Sequence, residues 1–306
     1  MKNRHSFLTA LLLSLYFSVT IQAQGSTRFQ LTLGGLLPRT GEETEKSISL
    51  SESFILTNTL KGLEPLTNWR MSLDLKFKDK FSIWDESNDC ATVEMVVDHF
   101  LYAERNQTNE LVKPKSRLVG TFIAGEWFFR SLDGSLSEVA AHKLTKIYNH
   151  PHRRIEDFDC LKLNQPRSIG ESWKILPDLN KLKALDGSVG DYFTRIFIKG
   201  LNTNNFEMTA QFIGITNVSG FRCFDLRLNG IIKGDAGKPT KIAHVSAKTE
   251  VDIIVPLDAS QRFWTKRGSV EDSVLFEDFE NGKMAVPAWG KGSAKLTEEC
   301  RGVSQK

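Results

Sequence analysis

Residues 69–77 alternate without a fault: Trp69, Met71, Leu73, Leu75 and Phe77 point one way, while Arg70, Ser72, Asp74 and Lys76 point the other. A period of two with one apolar face marks a half-buried antiparallel strand, and such a strand needs a second layer to cover its apolar side. The same period governs 91–99, where Val93, Met95 and Val97 oppose Thr92, Glu94 and Asp98. It recurs at 206–212, with Phe206, Met208, Ala210 and Phe212 on one face, and at 247–255, where Val251, Ile253 and Val255 oppose Lys248, Glu250 and Asp252. Phe224, Leu226 and Leu228 continue the theme and run into Asn229-Gly230, a strong hairpin signal. Further strands are expected at 29–33, 48–56, 118–129, 192–198 and 270–276. The fold class is therefore mainly β: a long antiparallel meander forming a curved sheet or half-barrel, with a small central helical insert.

The insert is read from a change of period. Ser135-x-x-Glu138 has the form of a capping box, and Ala140, Leu144, Ile147 and Tyr148 follow helical spacing until Pro151. Residues 155–163 offer another helical turn or two, and Leu179, Leu182 and Leu185 a short helix that Gly187 can cap. The layout is an N-terminal β half (24–134), a helical and loop insert (135–190), a C-terminal β half (191–282) and an irregular tail (283–306). Two arrangements are open, separate small β domains or one long sheet with the helices plugging its concave face. One-faced alternation with so few helices to cover it favours the single sheet.

Residues 1–23 have the make-up of a secretory signal peptide: Lys2, Arg4 and His5, then a short apolar run from Phe7 to Ile21, then Ala23 before the expected cut. No later run reaches the ~20 apolar residues of a transmembrane helix. The expectation is an exported protein, periplasmic or extracellular, soluble, and without a lipid-anchor cysteine beside the cut. Loss of Lys2 and Arg4 takes the balance from 40 basic and 37 acidic residues to 38 against 37. A chain so nearly neutral has no broad electrostatic footprint for nucleic acid.

Cys90, Cys160, Cys223 and Cys300 form an even set, so disulfides are expected in an oxidising compartment, with three full pairings open. No C-x-x-C suggests structural zinc. The densest polar cluster is Tyr148 to Arg154, with Glu156, Asp157, Asp159 and Cys160 behind it. His150 and His152 flank a proline at a spacing that suits one metal ion, and Asp159 can complete its shell, although no H-E-x-x-H pattern supports the idea. His99, His142 and His244 read as structural. There is no G-x-S-x-G elbow, phosphate loop or EF-hand pattern, and the carboxylate pairs Asp157/Asp159, Glu271/Asp272 and Glu277/Asp278 read as solvated faces. No cofactor and no catalytic residue is assigned. Trp127-Phe128-Phe129 breaks the alternation, so its strand is buried on both faces or lines an apolar cavity. Trp127 and Phe129 are accordingly the candidate binding residues.

Pro166-Arg-Ser-Ile-Gly170-Glu-Ser-Trp173 resembles the P-x-x-[V/I]-G-[D/E]-x-W segment of exported bacterial β-rich proteins of unknown function. In those proteins a strand like 91–99 precedes it, a turn like Asp133-Gly134 lies between, and strands like 206–232 follow. They are similar in turn to the half-barrel lipoprotein carriers of the bacterial envelope. Many one-faced strands with no assembled catalytic motif point to a non-enzymatic exported protein whose curved sheet binds an apolar or amphipathic ligand or an envelope partner. A metal-assisted hydrolase built on the insert and a purely structural envelope component are the alternatives.

Overall fold

The computed structural model describes residues 27–33, 39–58, 67–85, 90–105, 107–148, 161–175, 206–238, 241–280, 283–284 and 288–303. The expected leader at 1–23, the loop carrying His150, His152, Asp159 and Cys160, the expected helix near 179–187 and the expected strand at 192–198 lie outside them.

One antiparallel sheet dominates. Its long strands in the first part of the chain are β2 (Glu43–Asn58), β3 (Thr67–Asp85) and β4 (Cys90–Glu104), followed by the shorter β5 (Gln107–Val112), β6 (Arg117–Ile123) and β7 (Glu126–Ser131). The later part contributes β9 (Ser172–Ile175), β10 (Phe206–Val218), β11 (Phe221–Lys238), β12 (Lys241–Pro256), β13 (Phe263–Glu280), a short β14 (Lys283–Met284) and β15 (Ala288–Gly302). Among the described residues the order across this 13-stranded sheet is β7-β6-β4-β3-β2-β15-β13-β12-β11-β10-β9. The sheet is curved and does not close into a barrel. A two-stranded pair, β1 (Arg28–Phe29) with β8 (Arg167–Ser168), lies apart from it. Of the strand expected at 29–33, only Phe29 is in a ladder.

The alternation in the sequence becomes the two faces of this sheet. Met71, Leu73, Leu75 and Phe77 are buried on the inner face with Ile48, Leu50, Met95 and Val97, and Arg70, Ser72 and Asp74 face out. Two covers lie on the inner face. Over the first half sits α1 (Glu138–Ile147), whose Ala140 and Leu144 are fully buried in that cluster. Its cap is Ser137, whose side chain accepts the Ala140 N–H at 3.2 Å, two residues beyond the capping box expected at Ser135. Over the second half lie Leu31, Leu33, Leu161 and Leu163, packed with Phe212, Phe224, Leu226 and Ile253.

Three local readings are corrected. The tail expected to be irregular forms β15, which pairs with β13 on one side and β2 on the other and so joins the two halves into one sheet. Its inner row is Gly290, Gly292, Ala294, Leu296, Glu298 and Cys300, too poor in large apolar residues to show a strand period. Asn229-Gly230 is not a turn: it lies inside β11, opposite Glu250 and Thr249 of β12. The tight turn before β11 is instead Ser219-Gly220, where both residues have positive φ (52° and 85°) as a type I′ hairpin requires. The expected strand 118–129 is two strands joined by Ala124-Gly125, also with φ of 53° and 85°.

The Pro166–Trp173 segment is a turn stapled by its own side chains. Gly170 has φ of 82°, which favours glycine. Arg167 Nη1 donates to Glu171 Oε1 at 2.8 Å, and its guanidinium stacks 4.2 Å over Trp173. The Ser168 N–H donates to Glu171 Oε2 at 2.9 Å, and Trp173 Nε1 donates to the Leu161 carbonyl at 2.7 Å. The segment thereby ties the second cover to the sheet edge at β9 and β10.

Candidate functional site

Several charged side chains occupy inner-face positions where the strand period calls for apolar residues; Lys266 and Glu298 pair with each other at 3.3 Å, and four others bear on the site. Asp79 continues the row Leu73, Leu75, Phe77; Glu52 continues Ile48, Leu50; Asp272 sits between Val270 and Val274; Lys46 precedes Ile48. A charge in such a row is costly unless it is paired or changes its protonation state.

Asp79 and Lys46 are paired. The Asp79 side chain is 1% exposed and receives Lys46 Nζ at 2.6 Å, the Tyr148 hydroxyl at 2.8 Å and the Thr44 hydroxyl. Register explains the cluster, because Thr44 is opposite Asp79 and Lys46 opposite Phe77, while α1 delivers Tyr148 at its C-cap. Lys46 Nζ also lies 5.3 to 6.0 Å from the ring centres of Tyr148, Phe77 and Phe81. Burial, then the Asp79 charge, pushes the Tyr148 hydroxyl well above its ordinary range. Every partner here is enclosed and satisfied, so the cluster fastens the helix to the sheet.

Glu52 is different. It is 5% exposed, lies opposite Met71 and Ala294, and makes no hydrogen bond or ion pair among the described residues. Burial raises its carboxyl to about 7, against a smaller opposing pull from Lys143. Asp272, 6% exposed, is raised by burial as well, and its Oδ2 has no hydrogen-bond partner among the described residues. Between the two carboxyls the inner face is built of small residues. Asp272 lies across Gly292, where a Cβ would meet Oδ1 at 2.1 Å, and the Phe54 ring covers Gly290 with a closest approach of 2.6 Å to a Cβ there. Glu52 and Asp272, two carboxyls raised by burial on β2 and β13 with Gly292 and Ala294 of β15 between them, form the candidate site. The sequence signal that marks them is a carboxylate in the apolar phase of a strand, which reading the strands as whole amphipathic units passes over.

The residues singled out from sequence fall elsewhere. Trp127 is 4% exposed and enclosed by Phe122, Phe129, Phe81 and Tyr148, with ring centres 5.2 to 6.3 Å away. Phe129 covers Gly120 and stacks on Trp127. Both belong to an aromatic cluster at the end of α1. Cys90, Cys223 and Cys300 are free thiols, which corrects the disulfide expectation for those three; Cys300 is buried beside Lys46 in the register, and burial pushes its thiol up. Cys160 is outside the described residues, as are His150, His152 and Asp159. Among the described residues no group of three or more His, Cys, Asp and Glu is placed to hold a metal ion. His99, expected on the inward phase, faces out beside Asp74 at 3.2 Å, because a bulge at Lys76/Phe77 shifts the phase of β4. His244 lies on the outer face between Asp235 and Glu277, whose hydrogen bonds raise its pKa. No described helix is long and apolar enough to cross a membrane.

No protein-family model and no curated protein matches the chain. Among solved structures it is similar to lipovitellin, in a structure concerned with lipid–protein interactions, at 8% identity and a TM-score of 0.31, covering 88% of this chain and 26% of that one. The chain thus spans about a quarter of that protein. It is also similar to OccK2 (OpdF) of Pseudomonas aeruginosa, solved with glucuronate (4% identity, 90% and 100% covered, TM-score 0.22). A third likeness is to an outer membrane protein of Vibrio cholerae, OmpT with loop L8 deleted (8% identity, 83% and 99% covered, TM-score 0.22). TM-scores this low decide nothing about the chain.

Proposed function

We propose that this chain is a non-enzymatic binding protein, working outside the cytoplasm, that takes an amphipathic ligand on the inner face of its curved sheet. The observation that supports this is a pair of inner-face carboxyls: Glu52, raised to about 7 by burial, and Asp272, whose Oδ2 is buried without a hydrogen-bond partner among the described residues. Buried polar groups are nearly always satisfied, and an exception is accounted for when a ligand supplies the missing partner. The polar end of the ligand hydrogen-bonds Glu52, and its apolar body lies along the inner face beside Met71 and Ala294, the residues opposite Glu52.

The test is native mass spectrometry with organic extraction of protein purified from its own host, followed by titration of the ligand-free protein with the neutral apolar probe N-phenyl-1-naphthylamine. A bound amphiphile, or saturable probe uptake that Glu52→Gln weakens, supports the reading. A mass equal to the polypeptide alone together with no saturable probe uptake overturns it.

A further inference from the structure

On the outer face of β4, β3, β2 and β15 lies a cavity of about 420 Å³. Its floor and walls come from two neighbouring rows of the ladder. In one row Ala103 of β4, Ser72 of β3, Ser51 of β2 and Lys295 of β15 follow one another; in the next, Arg70, Ser53 and Ser293 do, with Arg105 beside Arg70 through an Arg105 N–H to Arg70 carbonyl hydrogen bond of 3.3 Å. Glu52, Met71 and Glu104 complete the lining, and their side chains belong to the inner face: Glu104 accepts from Trp69 Nε1 at 3.1 Å and Tyr102 at 2.9 Å.

The charge pattern of the cavity differs from the rest of the outer face. Elsewhere on the outer face several cations have a carboxylate partner: Arg227 with Asp252 at 2.7 Å, Lys76 with Glu45 at 2.9 Å, Arg117 with Asp133 at 2.9 Å. Here Arg70 is opposite Ser53, and Lys295 is opposite Ser51. Among the described residues Arg70, Arg105 and Lys295 make no ion pair. Of the acidic residues around it, Glu52 and Glu104 also line the cavity, the Glu104 carboxylate being engaged by Trp69 and Tyr102, and Glu271 is opposite Ser293 and Lys248. Among the described residues, three cations without an ion pair thus surround four hydroxyls, two of which, Ser53 Oγ and Ser293 Oγ, lie 2.9 Å apart.

We infer that this cavity binds a tetrahedral oxyanion, a phosphate or sulfate ester group, with Arg70 and Arg105 as the charged clamp, Lys295 as a third cation and Ser51, Ser53, Ser72 and Ser293 donating hydroxyls. Two guanidinium forks satisfy such an anion with paired hydrogen bonds, and the hydroxyls fill its remaining acceptor positions. The volume suits a small ligand carrying the group. The site is on the face away from Glu52, so this inference and the inner-face reading stand or fall separately.

The experiment is titration of the full chain with inorganic phosphate, followed by amide chemical shifts or calorimetry, in chloride buffer of matched ionic strength. Saturable binding is expected, weakened at least about tenfold in Arg70→Gln/Arg105→Gln and partly retained in Arg70→Lys, which keeps the charge and loses the fork. Because all three cations are exposed, the variants should keep the parent urea midpoint, and that is checked first. A second arm uses phosphatidylglycerol vesicles against phosphatidylcholine vesicles. Vesicle binding that free phosphate competes away assigns the anion to a lipid headgroup, and phosphate binding without vesicle binding assigns it to a soluble ligand. Absence of saturable phosphate binding beyond the chloride control, or equal affinity in the double glutamine variant, overturns the inference.

Discussion

Replacing Glu52 by glutamine should stabilise the protein at neutral and alkaline pH and leave it nearly unchanged in acid. The carboxyl is raised from 4.5 to about 7 in the folded chain, chiefly by burial. Below about 4.5 both folded and unfolded chains carry the proton, and folding has no charge to bury. Between that point and about 7 the folded state holds more protons than the unfolded state, so the free energy of unfolding falls as pH rises. Once the folded carboxyl ionises, the loss is complete, and at about 1.4 kcal/mol per pH unit it amounts to roughly 3 kcal/mol. Glutamine keeps the shape and never ionises, so it avoids that loss. Urea unfolding of both proteins from about pH 4.5 to about pH 8.5 should give curves that converge in acid and separate by roughly 3 kcal/mol in alkali, the variant being the more stable. Parallel curves, or a wild type that gains on the variant as pH rises, would refute the assignment of Glu52 as a buried, partnerless acid.

The Asp79 cluster predicts the opposite sensitivity: Asp79→Ala leaves Lys46 enclosed by rings without its counter-charge and should cost about 3 kcal/mol or more, while Asp79→Leu with Lys46→Met should recover most of the loss, as a urea double-mutant cycle will show. Gly120→Ala should cost about 1–3 kcal/mol, since its Cβ would fall 2.4 Å from the Phe129 ring; combining it with Phe129→Leu should return part of the loss in the same assay.

The class of fold was legible because long one-faced strands announce themselves: every alternating run at 69–77, 91–99, 206–212 and 247–255 is a strand of the sheet. What escaped was set by tertiary partners. β15 shows no apolar period because its first inner positions are Gly290, Gly292 and Ala294 and a later one is Glu298, while the bulk missing at the two glycines is supplied by Phe54 and Asp272 from neighbouring strands. Asn229-Gly230 carries turn chemistry, yet the ladder with β12 runs through it, because pairing of the flanking residues outweighs a local preference. The candidate site was missed for a related reason. Glu52 reads as one polar residue in the stretch Ser51-Glu52-Ser53, and only its phase with Ile48 and Leu50 places it inside.

The position of β15 bears on how the molecule is made. Ribosomes deliver the strands in chain order, so β2 to β7 and then β9 to β13 can each assemble by pairing neighbours as they emerge. Until β15 arrives, β2 and β13 both expose an unpaired backbone edge, the kind that recruits other chains. The segment that covers both edges must bridge a sequence separation as large as that of Ser53 and Ser293, 240 residues, which makes its docking a late and slow event. A nascent chain paused before residue 288 therefore holds two half-sheets competent to pair with each other or with a neighbouring chain, and synthesis of fifteen more residues decides between one continuous sheet and an aggregate.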